Sequence, residues 1–256
     1  QRRVCRLLMP YRFLDVGDTA VTVEFGDSVD PALLAAVAAL DRSVQSAMAA
    51  GQLPGVIETV PTFRSLTLIY DPLQTRRAEI DPVLVNLLAQ PTGANTLSGR
   101  RWQLPVCYGG DFGPDLESMA EATGLSPSEL IALHVATPYS VYMLGFLPGF
   151  PFMGDLPEKL SLPRRPEPRL RVPAGSVATA GRLTAIYPWE SPGGWQLVVR
   201  CAVPLFSPEW PGAALFLPGD RVSFHSVDKA EFERLEQHWQ QDRRLPDEYL
   251  VCERGA

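Results

Sequence analysis

The densest group of side chains able to do chemistry is a run of cations between Lys159 and Arg171, hereafter the arginine segment. It holds five basic residues and one acid, Glu167, and five prolines between Pro157 and Pro173 stiffen it. The cations are Lys159, Arg164, Arg165, Arg169 and Arg171. Because guanidinium groups bind carboxylates or phosphates through paired hydrogen bonds, the segment predicts a site for a small anion or an acidic partner surface. A solvated basic loop tied down by salt bridges is the alternative, since charged loop side chains usually face water.

Two glycine-rich turns follow the arginine segment. Residues 173–176 read Pro-Ala-Gly-Ser, and residues 191–195 read Ser-Pro-Gly-Gly-Trp. Small residues allow backbone N–H groups to approach a ligand, and paired glycines can form an anion-binding concavity. Gly175, Gly193 and Gly194 are therefore candidate substrate or anion contacts. From the residues alone, tight turns between strands are the favoured alternative, because Pro-Gly and Gly-Gly are common turn signals.

His134 and Ser176 are the candidate catalytic residues. His134 is the one histidine close in sequence to the arginine segment, and imidazole can act as an acid or a base. Its place after Leu133 on an apolar helix is also typical of a buried structural histidine. Ser176 lacks a Gly-x-Ser-x-Gly context, and the sequence contains no His-Glu-x-x-His and no phosphate-binding Gly-x-x-x-x-Gly-Lys motif. We therefore predict no metal site, no serine hydrolase and no autonomous nucleotide hydrolysis.

Four aromatic residues near these motifs have an apolar face and a polar tip, as pocket linings often do. They are Tyr139, Tyr142, Tyr187 and Trp195. The core of a barrel would use the same residue types. Of the four, we take Tyr187 and Trp195 as candidate substrate contacts.

Composition excludes several classes of function. The chain has 256 residues, of which 46% are apolar, and a net charge of −6, so it is large enough for a sizeable core and has no overall attraction to nucleic acid or an anionic membrane. Cys5, Cys107, Cys201 and Cys252 are far apart, which predicts reduced thiols rather than a zinc site or a disulfide framework. The apolar run at residues 7–9 is too short for a signal peptide or a membrane span, so we expect a cytoplasmic protein.

The first part of the chain alternates strands and helices. A strand over Phe13–Phe25, a helix from the N-cap Asp30, and two further strands are followed by a helix opening at Asp81-Pro82. The two further strands are Val56–Phe63 and Leu66–Tyr70, and Trp102–Tyr108 supplies a fourth. This β-α-β-β-α-β order predicts a ferredoxin-like α/β domain over residues 10–95, with a linker over residues 90–99.

The second part, residues 96–256, is predicted to be a β-barrel domain that carries the site. A helix over Leu116–Thr123 and a capping box at Ser126 precede a series of short β-prone runs separated by Gly/Pro turns. The runs are Tyr139–Phe146, Ser176–Ala180, Thr184–Tyr187, Trp195–Cys201, Ala214–Leu217 and Arg221–Ser226. Asp228 is predicted to cap a last amphipathic helix. The fold class is thus α+β.

Three long motifs resemble the allophanate hydrolase subunit 1 / KipI family. They are GFLPGFPFMGDLP, PRRPEPRLRVPAGSVATAG and IYPWESPGGW, and the start of the chain, YRFLDVGDTAVTVEFGD, is similar as well. The resemblance covers nearly the whole sequence. It implies a cyclophilin-like barrel for the second domain, and it favours a functional role for Arg164, Arg165 and Arg169.

The family includes the B subunits of bacterial 5-oxoprolinase, so the resemblance implies a component of a multi-subunit, ATP-dependent enzyme that opens 5-oxo-L-proline to L-glutamate. Implied partners are a companion of the allophanate hydrolase subunit 2 type, which is the C subunit of 5-oxoprolinase, together with the A subunit of that enzyme and a small anionic substrate. ATP is implied for the complex, and the chain alone is expected to be inactive. The alternatives are a urea carboxylase-related subunit and a KipI-like inhibitor of a histidine kinase.

The resemblance also suggests roles within the site. An anionic group of the substrate or of a phosphorylated intermediate would meet the arginines, and backbone amides at Gly193 and Gly194 would stabilise oxyanion charge. Arg200 corresponds to the arginine of a Gly-Arg-Thr motif in the family. Here its neighbours are Val199 and Cys201, and Leu183 stands where the family has a glutamine. These departures remove polar groups and leave the identity of the substrate open.

Overall fold

The computed structural model describes residues 10–90 and 99–251. The chain divides into two compact units between residues 97 and 98, and each unit has its own hydrophobic core. The predicted linker falls almost entirely on residues 91–98, which lie outside the described ranges. Within those ranges, every helix is too short or too polar to cross a bilayer.

The first unit is a four-stranded antiparallel sheet with two helices. Its strand order is β1-β2-β4-β3. The elements are β1 (Arg12–Val16), β2 (Ala20–Glu24), α1 (Pro31–Ala49), β3 (Val56–Pro61), β4 (Ser65–Tyr70) and α2 (Arg77–Ala89). Helix α1 begins as predicted, because the Asp30 side chain accepts a hydrogen bond from the Ala32 N–H. Its buried stripe, Val37, Leu40, Val44 and Ala47, packs in the core of this unit.

Two predicted boundaries in this unit were wrong. The single strand predicted over Phe13–Phe25 is a hairpin, because Gly17 takes a left-handed φ of +60° and reverses the chain. Helix α2 begins at Arg77 rather than at Asp81, and Pro82 lies inside it. The Arg77 guanidinium donates to Asp81 over 2.9 and 3.0 Å, which supports the turn that precedes the proline.

The predicted β-α-β-β-α-β order was also wrong. Strand β5 (Arg101–Tyr108), expected as the last strand of the first unit, belongs to the second unit, where it pairs with two barrel strands. The first unit therefore runs β-β-α-β-β-α. Its split β-α-β arrangement remains, with β4 between β2 and β3, but the flanking strand is β1 from the start of the unit.

The second unit is built on a closed barrel, as the sequence predicted. The barrel order is β10-β7-β6-β13-β5-β12-β9, and a separate two-stranded sheet pairs β8 with β11. The remaining strands are β6 (Tyr139–Leu144), β7 (Pro151–Gly154), β8 (Arg169–Val172), β9 (Ser176–Ala180), β10 (Leu183–Ile186), β11 (Ser191–Gly193), β12 (Gln196–Cys201) and β13 (Arg221–Ser226). The helices are α3 (Leu116–Thr123), α4 (Pro127–Ala136) and α5 (Lys229–Gln241).

Sequence patterns located most of these elements. The capping box at Ser126 is present, and Asp228 caps α5 by accepting from the Glu231 N–H. The run Ala214–Leu217 is not a strand and forms one isolated bridge, between Phe206 and Ala214. Strands β7, β8 and β11 were not predicted. Strands β7 and β11 contain proline and glycine, which resemble loop residues, and β8 is a four-residue strand between Pro168 and Pro173.

Candidate functional site

The arginine segment ends in strand β8, which is paired with β11. Arg169 lies opposite Gly193, and Val172 lies opposite Ser191. The backbone is tied down further by the Arg165 N–H, which donates to the Gly194 carbonyl over 2.7 Å. The predicted arginine loop and the second glycine turn thus form one structure.

The buried carboxylate of Asp115 organises two of the arginines. Arg165 Nη1 and Arg169 Nη2 both donate to Asp115 Oδ1, over 3.0 and 2.6 Å. The other oxygen, Oδ2, accepts from the Leu197 N–H over 2.7 Å. Only 4% of the Asp115 side chain is exposed, so these donors take the place of water around both oxygens.

The fold explains why Asp115 lies there. Strand β12 has a bulge between Leu197 and Val199, and its neighbour β5 pairs only with Val199 and the residues after it. The N–H and C=O of Leu197 therefore have no partner in the β5 ladder. Asp115 satisfies both groups, the first with its side chain and the second with its own N–H.

Sequence reasoning missed Asp115. It directly precedes the predicted helix α3, where an aspartate is usually a cap, yet its side chain makes no capping bond. The signal that could have found it is an acid directly after a Gly-Gly-Asp-Phe-Gly-Pro turn, in a domain with an excess of arginines in one segment. That signal is weak, because it does not identify the partners.

The charge of this cluster remains positive. Two guanidinium groups share one carboxylate, and Arg165 Nε and Arg169 Nη1 are buried without a hydrogen-bond partner among the described residues. A carboxylate buried alone would be costly, so the two ion pairs are the reason that the charge is tolerated there. The salt bridges of the alternative interpretation are thus present for Arg165 and Arg169, each of which retains an unused donor, and their role as anion contacts stays a prediction.

Arg164 is placed differently from its two neighbours. Its guanidinium lies over the Trp195 ring, 5.7 Å from the centroid, and it forms no ion pair with a residue in ranges 10–90 and 99–251. The Trp195 ring is buried and meets Phe152 edge to face. A stacked, unpaired guanidinium is held in position while its donors stay free.

Tyr187 lies in the same cluster. Its ring is buried against Phe150, and a Cβ added at Gly193 would lie 2.3 Å from its hydroxyl oxygen. Burial raises the pKa of Tyr187, and the charge of Arg164 opposes that rise. The phenol therefore stays protonated at neutral pH, as a hydrogen-bond donor close to a cation.

The first glycine turn has a structural task. Gly175 takes a φ of +79°, and a Cβ there would lie 2.1 Å from the Cys201 carbonyl oxygen. Its N–H donates to Tyr187, its C=O accepts from Cys201, and Ser176 is buried at the start of β9. Arg200 donates to the Ala174 carbonyl of this turn and to Glu236 on α5.

His134 is fully buried in an aromatic environment. Its Nδ1 lies 2.7 Å from the Tyr108 hydroxyl, and its ring stacks on Phe224 with centroids 5.2 Å apart. Burial lowers the pKa of His134 to about 3, so the ring is neutral at physiological pH. The packing favours the structural interpretation of this residue, and its catalytic role stays a prediction.

The described residues hold no group of three or more His, Cys, Asp or Glu side chains placed to bind a metal ion. The structure does bring together Arg164, Arg165, Arg169, Tyr187, Gly193, Gly194 and Trp195, whereas the contacts of His134 and Arg200 lie elsewhere. The fold and this cluster define a class: a barrel protein with a cationic cluster beside buried aromatic rings.

Comparison with known proteins gives the family. Residues 11–216 match the family described as carboxyltransferase domain, subdomain C and D. A protein of Bacillus subtilis named as the B subunit of 5-oxoprolinase is 35% identical over 87% of this chain and 95% of its own length, and its Escherichia coli O157:H7 namesake is 38% identical over 82% and 93%. The chain belongs to this family, on the branch whose members are named as B subunits of 5-oxoprolinase.

Solved structures agree in fold. The structure of TTHA0988 has 38% sequence identity and a TM-score of 0.71; the match covers 81% of this chain but 40% of that one. A Kluyveromyces lactis urea carboxylase structure reaches a TM-score of 0.71 at 18% identity, which shows a shared fold alone. The present chain is thus equivalent to one part of these longer chains.

Proposed function

We propose that the chain is the B-type subunit of an ATP-dependent 5-oxoprolinase, which adds water across the lactam C–N bond of 5-oxo-L-proline to give L-glutamate. The observation that carries this is the 35% identity with a relative of that name over 95% of the relative's length. The cationic site on the barrel supports the proposal, because the substrate carries a carboxylate and its lactam carbonyl becomes an oxyanion in the reaction.

The chain acts together with companion subunits of the A and C types. Its sequence contains no phosphate-binding loop, so ATP would be bound and cleaved with the help of those subunits. The protein as a whole would be cytoplasmic, and its barrel, with the cyclophilin-like topology that the family resemblance implies, would form one wall of a shared active site. Backbone amides near Gly193 and Gly194 would stabilise the oxyanion.

The test is reconstitution. The chain and the A- and C-type subunits encoded by the same genome are purified separately and mixed, and ATP hydrolysis dependent on 5-oxo-L-proline is measured together with glutamate formation. We expect activity from the full mixture and none when any component is omitted. Full activity from this chain alone, or from the other two without it, would contradict the proposal.

A second function has one supporting observation. A putative urea carboxylase of Emericella nidulans is 28% identical over 132 residues, which are 47% of this chain and 10% of that protein. The same reconstituted mixture, supplemented with bicarbonate and a biotin-carboxylase component as the source of the carboxyl group, should therefore be assayed with urea in place of 5-oxo-L-proline. ATP hydrolysis that responds to urea and not to 5-oxo-L-proline would select this alternative.

A further inference from the structure

We infer that Arg164, Tyr187 and Trp195 form the carboxylate-recognition subsite of this protein, and that Arg165 and Arg169 serve as its fixed support. The inference rests on the proposed function for the identity of the ligand, 5-oxo-L-proline. The existence of a subsite for a small carboxylate is independent of that identity. The three arginines are close in sequence and differ in what they contact.

Arg165 and Arg169 are already committed to the protein. Each donates to Asp115, which is buried and also bonded to strand β12. Breaking these contacts to bind a ligand would leave a buried carboxylate without its partners, which is more unfavourable than the ligand contact is favourable. These two arginines therefore fix the backbone on both sides of Pro166 and add positive potential without moving.

Arg164 is free to bind. The Trp195 ring holds its guanidinium, and no carboxylate in the described part of the chain neutralises it. Stacking on an aromatic ring leaves the N–H edge of a guanidinium open, and that edge has the geometry to hold both oxygens of one carboxylate. Because the side chain is already positioned, little entropy is lost when the anion arrives.

Two neutral donors lie beside this cation. Tyr187 and Trp195 are 2% and 5% exposed, so their rings belong to the core. Yet the Tyr187 hydroxyl and Trp195 Nε1 form no hydrogen bond with another described residue. Neither atom is completely buried, since both are missing from the unpartnered polar atoms that solvent cannot reach. The polar tip of each ring therefore reaches the surface from a buried position. Two rings from the core thus present two donors beside one cation.

Gly193 makes this arrangement possible. Its missing side chain leaves the space that the Tyr187 hydroxyl occupies, since a Cβ there would approach the oxygen to 2.3 Å. Gly193 is held in turn by β11, opposite Arg169 of β8. The position of the phenol is thus linked to the Asp115 cluster through one pair of strands, which is what a preorganised subsite needs.

The ligand class follows from the donors. The three side chains offer one cation and two neutral hydrogen-bond donors next to aromatic rings. Their one acceptor is the phenol oxygen. This set suits a small flat molecule with one carboxylate. A 5-oxo-L-proline molecule has this form, and 2-pyrrolidone is the same lactam ring without the carboxylate. We expect the subsite to distinguish the two.

The experiment uses the reconstituted complex and the purified chain. Arg164→Gln and Tyr187→Phe are compared with Arg182→Gln, which changes an exposed arginine at the β9–β10 turn. We expect Arg164→Gln to raise the KM for 5-oxo-L-proline by about ten-fold or more and Tyr187→Phe by about three-fold, with kcat changed less, because both groups bind the part of the substrate that does not react. Arg182→Gln should leave KM within about two-fold, and thermal unfolding should show that all three variants fold.

Direct binding separates this inference from the proposed function. Isothermal titration of the chain with 5-oxo-L-proline, L-proline and 2-pyrrolidone should show heat for the two carboxylates only, and Arg164→Gln should abolish it. If the complex lacks 5-oxoprolinase activity while a carboxylate still binds through Arg164, the subsite stands and the proposed function fails. If the complex is active and Arg164→Gln has a wild-type KM, or no carboxylate binds and no KM changes, the inference is overturned.

Discussion

Arg169 Nη2 lies 2.6 Å from Asp115 Oδ1, and this contact joins strand β8, in which the arginine segment ends, to the start of helix α3. The two residues are 54 positions apart in sequence. With Arg165 on the same oxygen, Asp115 holds in place a segment whose prolines prevent a long regular strand. Substitutions at this junction and in the surrounding barrel should therefore have unequal effects.

Asp115→Asn should destabilise the protein by about 2 kcal/mol, because an amide oxygen replaces a carboxylate as acceptor for two guanidinium groups. Equilibrium unfolding in urea measures the change. The matched control is Arg171→Gln, because Arg171 lies on the same strand as Arg169. This substitution breaks an exposed ion pair with Glu190 and should reduce stability by less than about 1 kcal/mol. Equal effects from the two substitutions would show that Asp115 is not the anchor.

Gly175→Ala should be among the most damaging single substitutions, at about 3 kcal/mol or more. Both the left-handed φ and the approach of 2.1 Å to the Cys201 carbonyl oxygen oppose a side chain there. Gly181→Ala is the control, since Gly181 also has a positive φ but open space around it, and should cost about 1–2 kcal/mol. Urea unfolding of both variants separates the steric effect from the backbone effect.

Gly193→Ala and Gly194→Ala form a second matched pair on adjacent residues. At Gly193 the new methyl group overlaps the Tyr187 hydroxyl, whereas at Gly194 it meets Pro168 at an ordinary distance of 3.6 Å. We expect Gly193→Ala to cost about 1–3 kcal/mol as an overpacked site and Gly194→Ala less than about 1 kcal/mol. Unfolding curves check the order, and a larger cost at Gly194 would contradict the packing described for Tyr187.

The burial of His134 makes stability depend on pH. Its pKa of about 3 in the folded protein lies below the value of 6.5 expected in the unfolded chain, so between these values the unfolded chain binds a proton that the folded protein does not. Because of His134, the free energy of unfolding therefore decreases as the pH falls below 6.5. The contribution reaches about 2 kcal/mol at pH 5.

The check is His134→Gln, which keeps a polar partner for Tyr108 and removes the titration. Unfolding free energies are measured at pH 7.5 and pH 5 for both proteins. The variant should be less stable at pH 7.5 and should lose about 2 kcal/mol less than the wild type on acidification. An identical loss in both proteins would mean that His134 is protonated in the folded state.

The sequence predicted local structure better than it predicted partners. Capping residues such as Ser126 and Asp228 marked helix starts correctly, because a cap is decided within one turn of chain. Strand β5 was recognised as a strand and assigned to the wrong sheet, because its alternation does not encode its neighbours, which lie about a hundred residues away.

The candidate site shows the same limit. The residue types of the arginine segment indicated a group of cations, but the sequence could not tell Arg164 from Arg165. What separates them is Asp115 on one side and Trp195 on the other, and both contacts are made across the fold. Gly175 was expected as a possible ligand contact. In the structure a glycine is needed there because the Cys201 carbonyl of β12 lies too close for a Cβ.

The pairing of β5 has a consequence for synthesis. This strand is the first of the barrel to leave the ribosome, and its two neighbours, β12 and β13, are the last. Both of its edges stay without partners until the other barrel strands have been synthesised, so closure is a late event governed by distant contacts. During that interval the nascent chain exposes a hydrophobic strand, and we expect its yield in cells to depend on chaperones that shield such edges.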